Sequence, residues 1–116
     1  FTDFLNKWLE LYKKQNKFSF IFDTTNVGMI NISYCYKLKK FIGELRKLPT
    51  QYLEKSLIIV SNKYIKNLLN IIFKITKPLA TVYIYDIDKK EKNYNINNLL
   101  NNIKENNLKK FKIIHP

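Results

Sequence analysis

Between Ser56 and Asp86 the sequence runs S-L-I-I-V-S-N-K-Y-I-K-N-L-L-N-I-I-F-K-I-T-K-P-L-A-T-V-Y-I-Y-D, and this stretch constrains the fold more than any other. Leu57 to Val60 is short, apolar and rich in β-branched residues, which predicts a buried strand over 57–61. Ser61 and Asn62 then offer side-chain oxygens that can cap a helix. Ile65, Leu68, Leu69, Ile72 and Ile75 follow at helical spacing, so a helix over 63–76 buries one face. Pro78 stops it, and Thr81 to Tyr85 is a second β-rich run. Strand, helix and strand in about thirty residues make a βαβ unit whose strands are parallel neighbours in one sheet.

The flanking sequence extends the same alternation. Thr2 or Asp3 can cap a helix over 3–14 that carries Phe4, Leu5, Trp8, Leu11 and Tyr12 on one face. F-S-F-I-F at 18–22 predicts a strand with Asp23 at its end. A loop with Gly28 follows, then a helix over 31–48 whose buried stripe is Cys35, Leu38, Phe41, Ile42 and Leu45. Pro49 ends that helix, and 51–55 reads as a short connection with a helical turn. After Tyr85 the polar run D-I-D-K-K-E-K-N-Y-N predicts a surface loop. Ile96, Leu99, Leu100 and Ile103 mark a last helix over 96–105, held by burial because Asn is a mediocre helix former. Residues 106–116 read as a tail in which Phe111, Ile113 and Ile114 can dock as a short edge strand. The expected fold is one α/β domain over 1–116, with a mostly parallel sheet of about four strands flanked by helices.

Composition sets limits on function. No apolar run approaches the roughly 18 residues that a membrane-spanning helix needs. Cys35 is the sole cysteine, which rules out a disulfide within the chain and a thiolate metal cluster. The sequence opens on Phe1 rather than Met, as expected of a processed or trimmed product. A formal charge of +12 points to nucleic acid or acidic lipid, yet Arg46 is the only arginine among 21 basic residues. Arginine is the usual residue for bidentate phosphate and guanine contacts. Abundant Lys, Asn, Ile, Phe and Tyr beside a single Ala and two Gly fit an AT-rich genome, as in some viruses, protozoa and organelles. The expected setting is intracellular or within a viral or organellar assembly. Lys89, Lys90 and Lys92 with Lys104, Lys109, Lys110 and Lys112, interleaved by Tyr94 and Phe111, form a candidate basic surface for RNA or acidic headgroups.

The candidates for chemistry lie at strand ends. Asp23 follows one strand, Ser61 the next, and Asp86 and Asp88 a third. α/β folds bind ligands at the carboxyl ends of parallel strands. This pattern resembles the haloacid-dehalogenase phosphotransferases, which imply a nucleophilic Asp at Asp23 and Mg²⁺ carboxylates. In this sequence Thr25 stands where that family has its general acid. The motif is incomplete, so no catalytic residue, metal ligand or cofactor is expected. His115 lies one residue from the end and Cys35 on a buried stripe, so neither reads as a catalytic group.

Tyr52, Glu54, Asn62, Lys77, Pro78 and Leu79 fall in a pattern that resembles the CRAL-TRIO lipid-binding family, with Leu53 where that family has Pro. There, a Tyr-Pro-Glu segment leads into a strand ending in Asn, and a helix and a Lys-Pro turn follow. F-I-F-D-T-T-N-V-G is similar to that family's earlier strand and turn, and the resemblance covers about 18–86. It implies a lipid enclosed between the sheet and a mobile helix. The chain that follows the third strand is short for such a cage, so helices over the sheet are expected to close a solid core. F-I-F-D-T-T-N-V-G-M-I-N-I-S also resembles the STAS domain, with Asn31 and Ile32 in place of its Asp and phosphorylated Ser, and Ser33 retained.

Asp23, Asn26, Ser33, Ser61, Asn62 and Lys77 are therefore the candidate ligand or partner residues. The expected function is a non-enzymatic binding or structural module that works through protein contacts or self-assembly. Lipid binding, RNA binding in a ribonucleoprotein, and, more remotely, phosphotransfer are the alternatives.

Overall fold

The computed structural model describes residues 2–25, 32–87 and 94–116. Its elements follow in the order α1 (Thr2–Lys13), β1 (Phe18–Asp23), α2 (Ser33–Arg46), β2 (Leu53–Val60), α3 (Lys63–Ile75), β3 (Thr81–Asp86), α4 (Ile96–Lys104) and β4 (Phe111–Ile114). The strands form one four-stranded sheet in the order β1-β2-β3-β4. β1, β2 and β3 are parallel, and β4 returns antiparallel to β3. This is an α/β fold with a mostly parallel sheet.

The lateral register sorts side chains onto two faces. Phe20, Ser56, Val82 and Ile114 lie in one row, with Phe22, Ile58 and Ile84 in the next. Alternation along a strand places Ile21, Leu57, Tyr83 and Ile113 on the opposite face, with Asp23, Ile59, Tyr85 and Phe111 beside them. The first face is covered by α1, α2 and α3. Trp8 and Tyr12 of α1 pack with Ile42 and Leu45 of α2, while Ile65 of α3 packs on Ile58, Val60, Val82 and Ile84. The second face is covered by α4, through Leu99 and Ile103 on Leu57, Ile59 and Tyr85. Leu57 and Ile59 are 1% and 0% exposed because β2 is central and both faces above it are covered. Each such side chain contributes about 1.5–3 kcal/mol by burial.

Helix ends follow local chemistry. Asn62 caps α3, its Oδ1 accepting the Ile65 N–H at 2.8 Å. Asn95 does the same for α4, accepting from Asn97 and Asn98 at 2.9 and 3.3 Å. Two non-glycine residues just beyond helices take left-handed backbone, Gln15 after α1 at φ 55° and Asn106 after α4 at φ 60°.

The structure moves several expected boundaries. β2 begins at Leu53, so 53–55 is strand rather than a helical turn. Pairing decides this: Lys55 pairs with Ser19 on one side and Thr81 on the other. A register shift between Phe18 and Ser19 leaves Glu54 as the extra residue on β2, which returns Leu53 to the core. α2 starts at Ser33 and ends at Arg46, shorter than 31–48, with Ile32 at its N-cap and no side-chain cap bond. The region expected as a tail contains β4, recruited by the open edge of β3.

Candidate functional site

A half-enclosed cavity of ≈ 490 Å³ lies between the first face of the sheet and the three helices above it. Phe20 and Phe22 of β1 and Ser56 and Ile58 of β2 form its floor. Phe4 and Trp8 of α1 and Tyr34, Cys35 and Leu38 of α2 form one wall. Leu68, Leu69, Ile72 and Phe73 of α3 form the other, and Pro78 to Ala80 close one end. The volume falls in the range of about 300–1,000 Å³ that small-molecule sites occupy.

Side-chain size explains why space remains. Aromatic rings brace α1 against β1: Phe4 stands 5.3 Å from Phe22, and Trp8 stands 5.0 Å from Phe20, centroid to centroid. Trp8 also meets Phe41 of α2 at 5.3 Å. These rings pack α1 onto β1 and against α2. Beneath them, Ser56 takes the central place in its row between Phe20 and Val82, and the small Ala80 and Cys35 line the same space. A branched aliphatic residue at 56 would fill what Ser56 leaves open. The expected solid core is therefore not what forms on this face.

The lining is almost wholly apolar. Its polar groups are few and mostly engaged. The Thr24 hydroxyl donates to the Ile59 carbonyl at 2.6 Å. Ser56 is the buried polar residue of the core among the described residues, 4% exposed. Cys35 is buried in the α2 stripe, and that burial pushes its thiol above its ordinary range. The Trp8 indole N–H is buried without a hydrogen-bond partner. It lies toward Tyr12, whose hydroxyl donates to Gln51 Oε1 at 2.7 Å and keeps its lone pairs turned to accept from the indole. Burial also pushes the Tyr12 phenol up.

The strand-end acids do not converge. Asp23 stands opposite Ile59 on the face that α4 covers, while Asp86 stands opposite Val60 and so points to the face of α3. Asp86 pairs there with Lys66. Asp23 accepts the Thr25 N–H at 3.0 Å, the Thr25 hydroxyl at 2.6 Å and the Tyr94 hydroxyl. The Thr25 bond and then the Tyr94 bond hold its carboxyl below the usual range, and the carboxylate pushes Tyr94 up. Among the described residues no group of three or more His, Cys, Asp or Glu could hold a metal ion. Beside Asp23 the sheet also lacks the crevice that motivated this candidate. Such a crevice opens where the helices after neighbouring strands leave to opposite faces. α2 and α3, which follow β1 and β2, lie on the same face, and only α4, which follows β3, crosses to the other.

The other candidates scatter. Ser33 opens α2 and is exposed; Ser61 lies exposed beyond β2; Asn62 is spent on the α3 cap. The Lys77 carbonyl accepts from Arg46. Asn26, Asp88, Lys89, Lys90 and Lys92 lie outside the described residues, as do Gly28 and Asn31. Lys104 ends α4, and Lys109 and Lys110 precede β4, all exposed. Lys112 leaves that group: its Nζ donates to Asn70 Oδ1 of α3 at 2.8 Å. Sequence reasoning missed the cavity residues because their spacing marks only burial. The available signal was Ser56 directly before the core aliphatics Leu57 to Val60.

No helix among the described residues is long and apolar enough to cross a membrane. No protein-family model, curated protein or solved structure matches the chain.

Proposed function

We propose that this protein is a non-enzymatic binding module whose ligand is an apolar molecule of acyl-lipid type, held between the sheet and α1, α2 and α3. The observation that carries the reading is the ≈ 490 Å³ apolar cavity. A core left open at Ser56 forfeits packing energy, and an occupant restores it. The separation of Asp23 from Asp86 onto opposite faces favours binding over phosphotransfer.

Trp8 is the only tryptophan and lines the cavity, so its fluorescence reports occupancy. Titrating the delipidated chain with oleate should give a saturable, one-to-one change. Ser56→Ile should weaken oleate binding at least tenfold and raise the melting temperature, because the added aliphatic atoms fill the floor. If neither oleate nor lysophosphatidylcholine gives a saturable signal with the folded chain, the reading is wrong. It is equally wrong if Ser56→Ile is stabilised yet binds oleate as before.

A further inference from the structure

The sheet has two edges, and they are built differently. β4 at one edge is four residues long, with Lys112 inside it and Lys109 and Lys110 just before it. Short strands and lysines are common guards against edge-to-edge pairing. β1 at the other edge is F-S-F-I-F-D, six residues with no Lys, Pro or Gly in a chain with 21 basic residues. Among the described residues no strand pairs with its outer side. Ile21 is 44% exposed on the second face, because α4 covers β2 and β3 but not β1.

The direction of the backbone groups is fixed by the bonds β1 already makes. The Phe18 N–H donates to Tyr52 O and the Thr24 N–H to Ile59 O, both at 2.9 Å, so even-numbered residues bond inward to β2. Ser19, Ile21 and Asp23 therefore turn their N–H and C=O groups outward, free to form a ladder.

We infer that β1 pairs antiparallel with β1 of a second copy, about a two-fold axis at Phe20, to give a continuous eight-stranded sheet. The register follows from charge. With Phe20 opposite its own copy, Ser19 faces Ile21 of the second copy and Lys17 faces Asp23, in both directions. Outward-turned residues then meet each other, as a hydrogen-bonded antiparallel pair requires. Shifting the strands by one step of the ladder either way leaves Lys17 and Asp23 without opposite partners. A parallel arrangement about a two-fold axis sets Asp23 against Asp23. The two Ile21 side chains become diagonal neighbours on the second face and lose their exposure. Asp23 can take the extra contact: Thr25 bonds Oδ1 twice and Tyr94 bonds Oδ2 once, which leaves an acceptor position on Oδ2. This pairing is independent of what fills the cavity.

Light scattering over a concentration series should show a mass of twice 14.0 kDa. Ile21→Lys and, separately, Ser19→Lys should give monomers with an unchanged circular dichroism spectrum. Lys17→Asp should weaken the dimer, and Lys17→Asp with Asp23→Lys should restore it. In a mixture of ¹⁴N and ¹⁵N chains, carbodiimide should link Lys17 of one isotope to Asp23 of the other. A chain that stays at 14.0 kDa throughout, or pairs only with a different protein, overturns the inference. So does a dimer that survives both edge lysines or cross-links without Lys17.

Discussion

Tyr94 donates its hydroxyl to Asp23, 71 residues away in sequence, and this bond ties the approach to α4 to the end of β1. Among the described residues α4 does not cover β1 on that face: Leu99 and Ile103 cluster with Leu57, Ile59 and Tyr85 of β2 and β3 and with Phe111 of β4. The bond is exposed, so its contribution is expected below about 1 kcal/mol. It has a pH signature. Asp23 titrates below its unfolded value when folded, so its contribution is present above the unfolded carboxylate range and lost as pH falls through the folded value. Tyr94 titrates above its unfolded value, so its contribution is present below that range and lost as pH rises through the folded one. Tyr94→Phe should therefore lower the melting temperature at neutral pH, and the difference should vanish in strong acid and strong alkali. A difference that is constant with pH would assign the effect to packing of the ring.

Asn62 sits where the sequence places a cap, and its Oδ1 accepts from Ile65 at 2.8 Å. Asn62→Ala should cost about 1 kcal/mol in chemical denaturation, and Asn62→Asp should cost little, since aspartate caps equally well. A loss with Asp as large as with Ala would mean that the amide NH₂ matters and the cap does not.

Gln15 closes α1 at φ 55°, a conformation that suits glycine. Gln15→Gly should raise stability by about 0.5–1 kcal/mol, and Gln15→Val should lower it. Equal melting temperatures for the glutamine and glycine forms would show that the position relaxes at no cost.

How much of this was legible varies from residue to residue. The stripe Ile65, Leu68, Leu69, Ile72 and Ile75 predicts the buried side of α3; Ile65, Leu68 and Ile72 are buried, and Leu69 and Ile75 are half-buried. Phe18 to Phe22 reads as a strand by alternation, and its even residues do face the helices. Leu53 to Lys55 did not read as strand, because L-E-K has neither an apolar run nor strand propensity, and neighbours on both sides impose it. Asn95 was a legible cap overlooked among many Asn. The strand-end acids were legible as strand ends but not as a site. Asp23 and Asp86 lie on opposite faces, and only the lateral register fixes that.

By itself the sequence determined the elements, their order and the alternation that demands a mostly parallel sheet. Those properties follow from periods of 2 and 3.6 and from local turn and cap chemistry, which neighbouring residues encode. Tertiary structure decided what the elements enclose. Ser56 reads as one polar residue before an apolar run until the register sets it between Phe20 and Val82 beneath braced helices. Burial patterns record that a side chain is covered, but not how far away its cover stands. The cover comes from side chains remote in sequence, here the rings of Phe4, Trp8 and Phe41, whose contacts only the tertiary structure brings together.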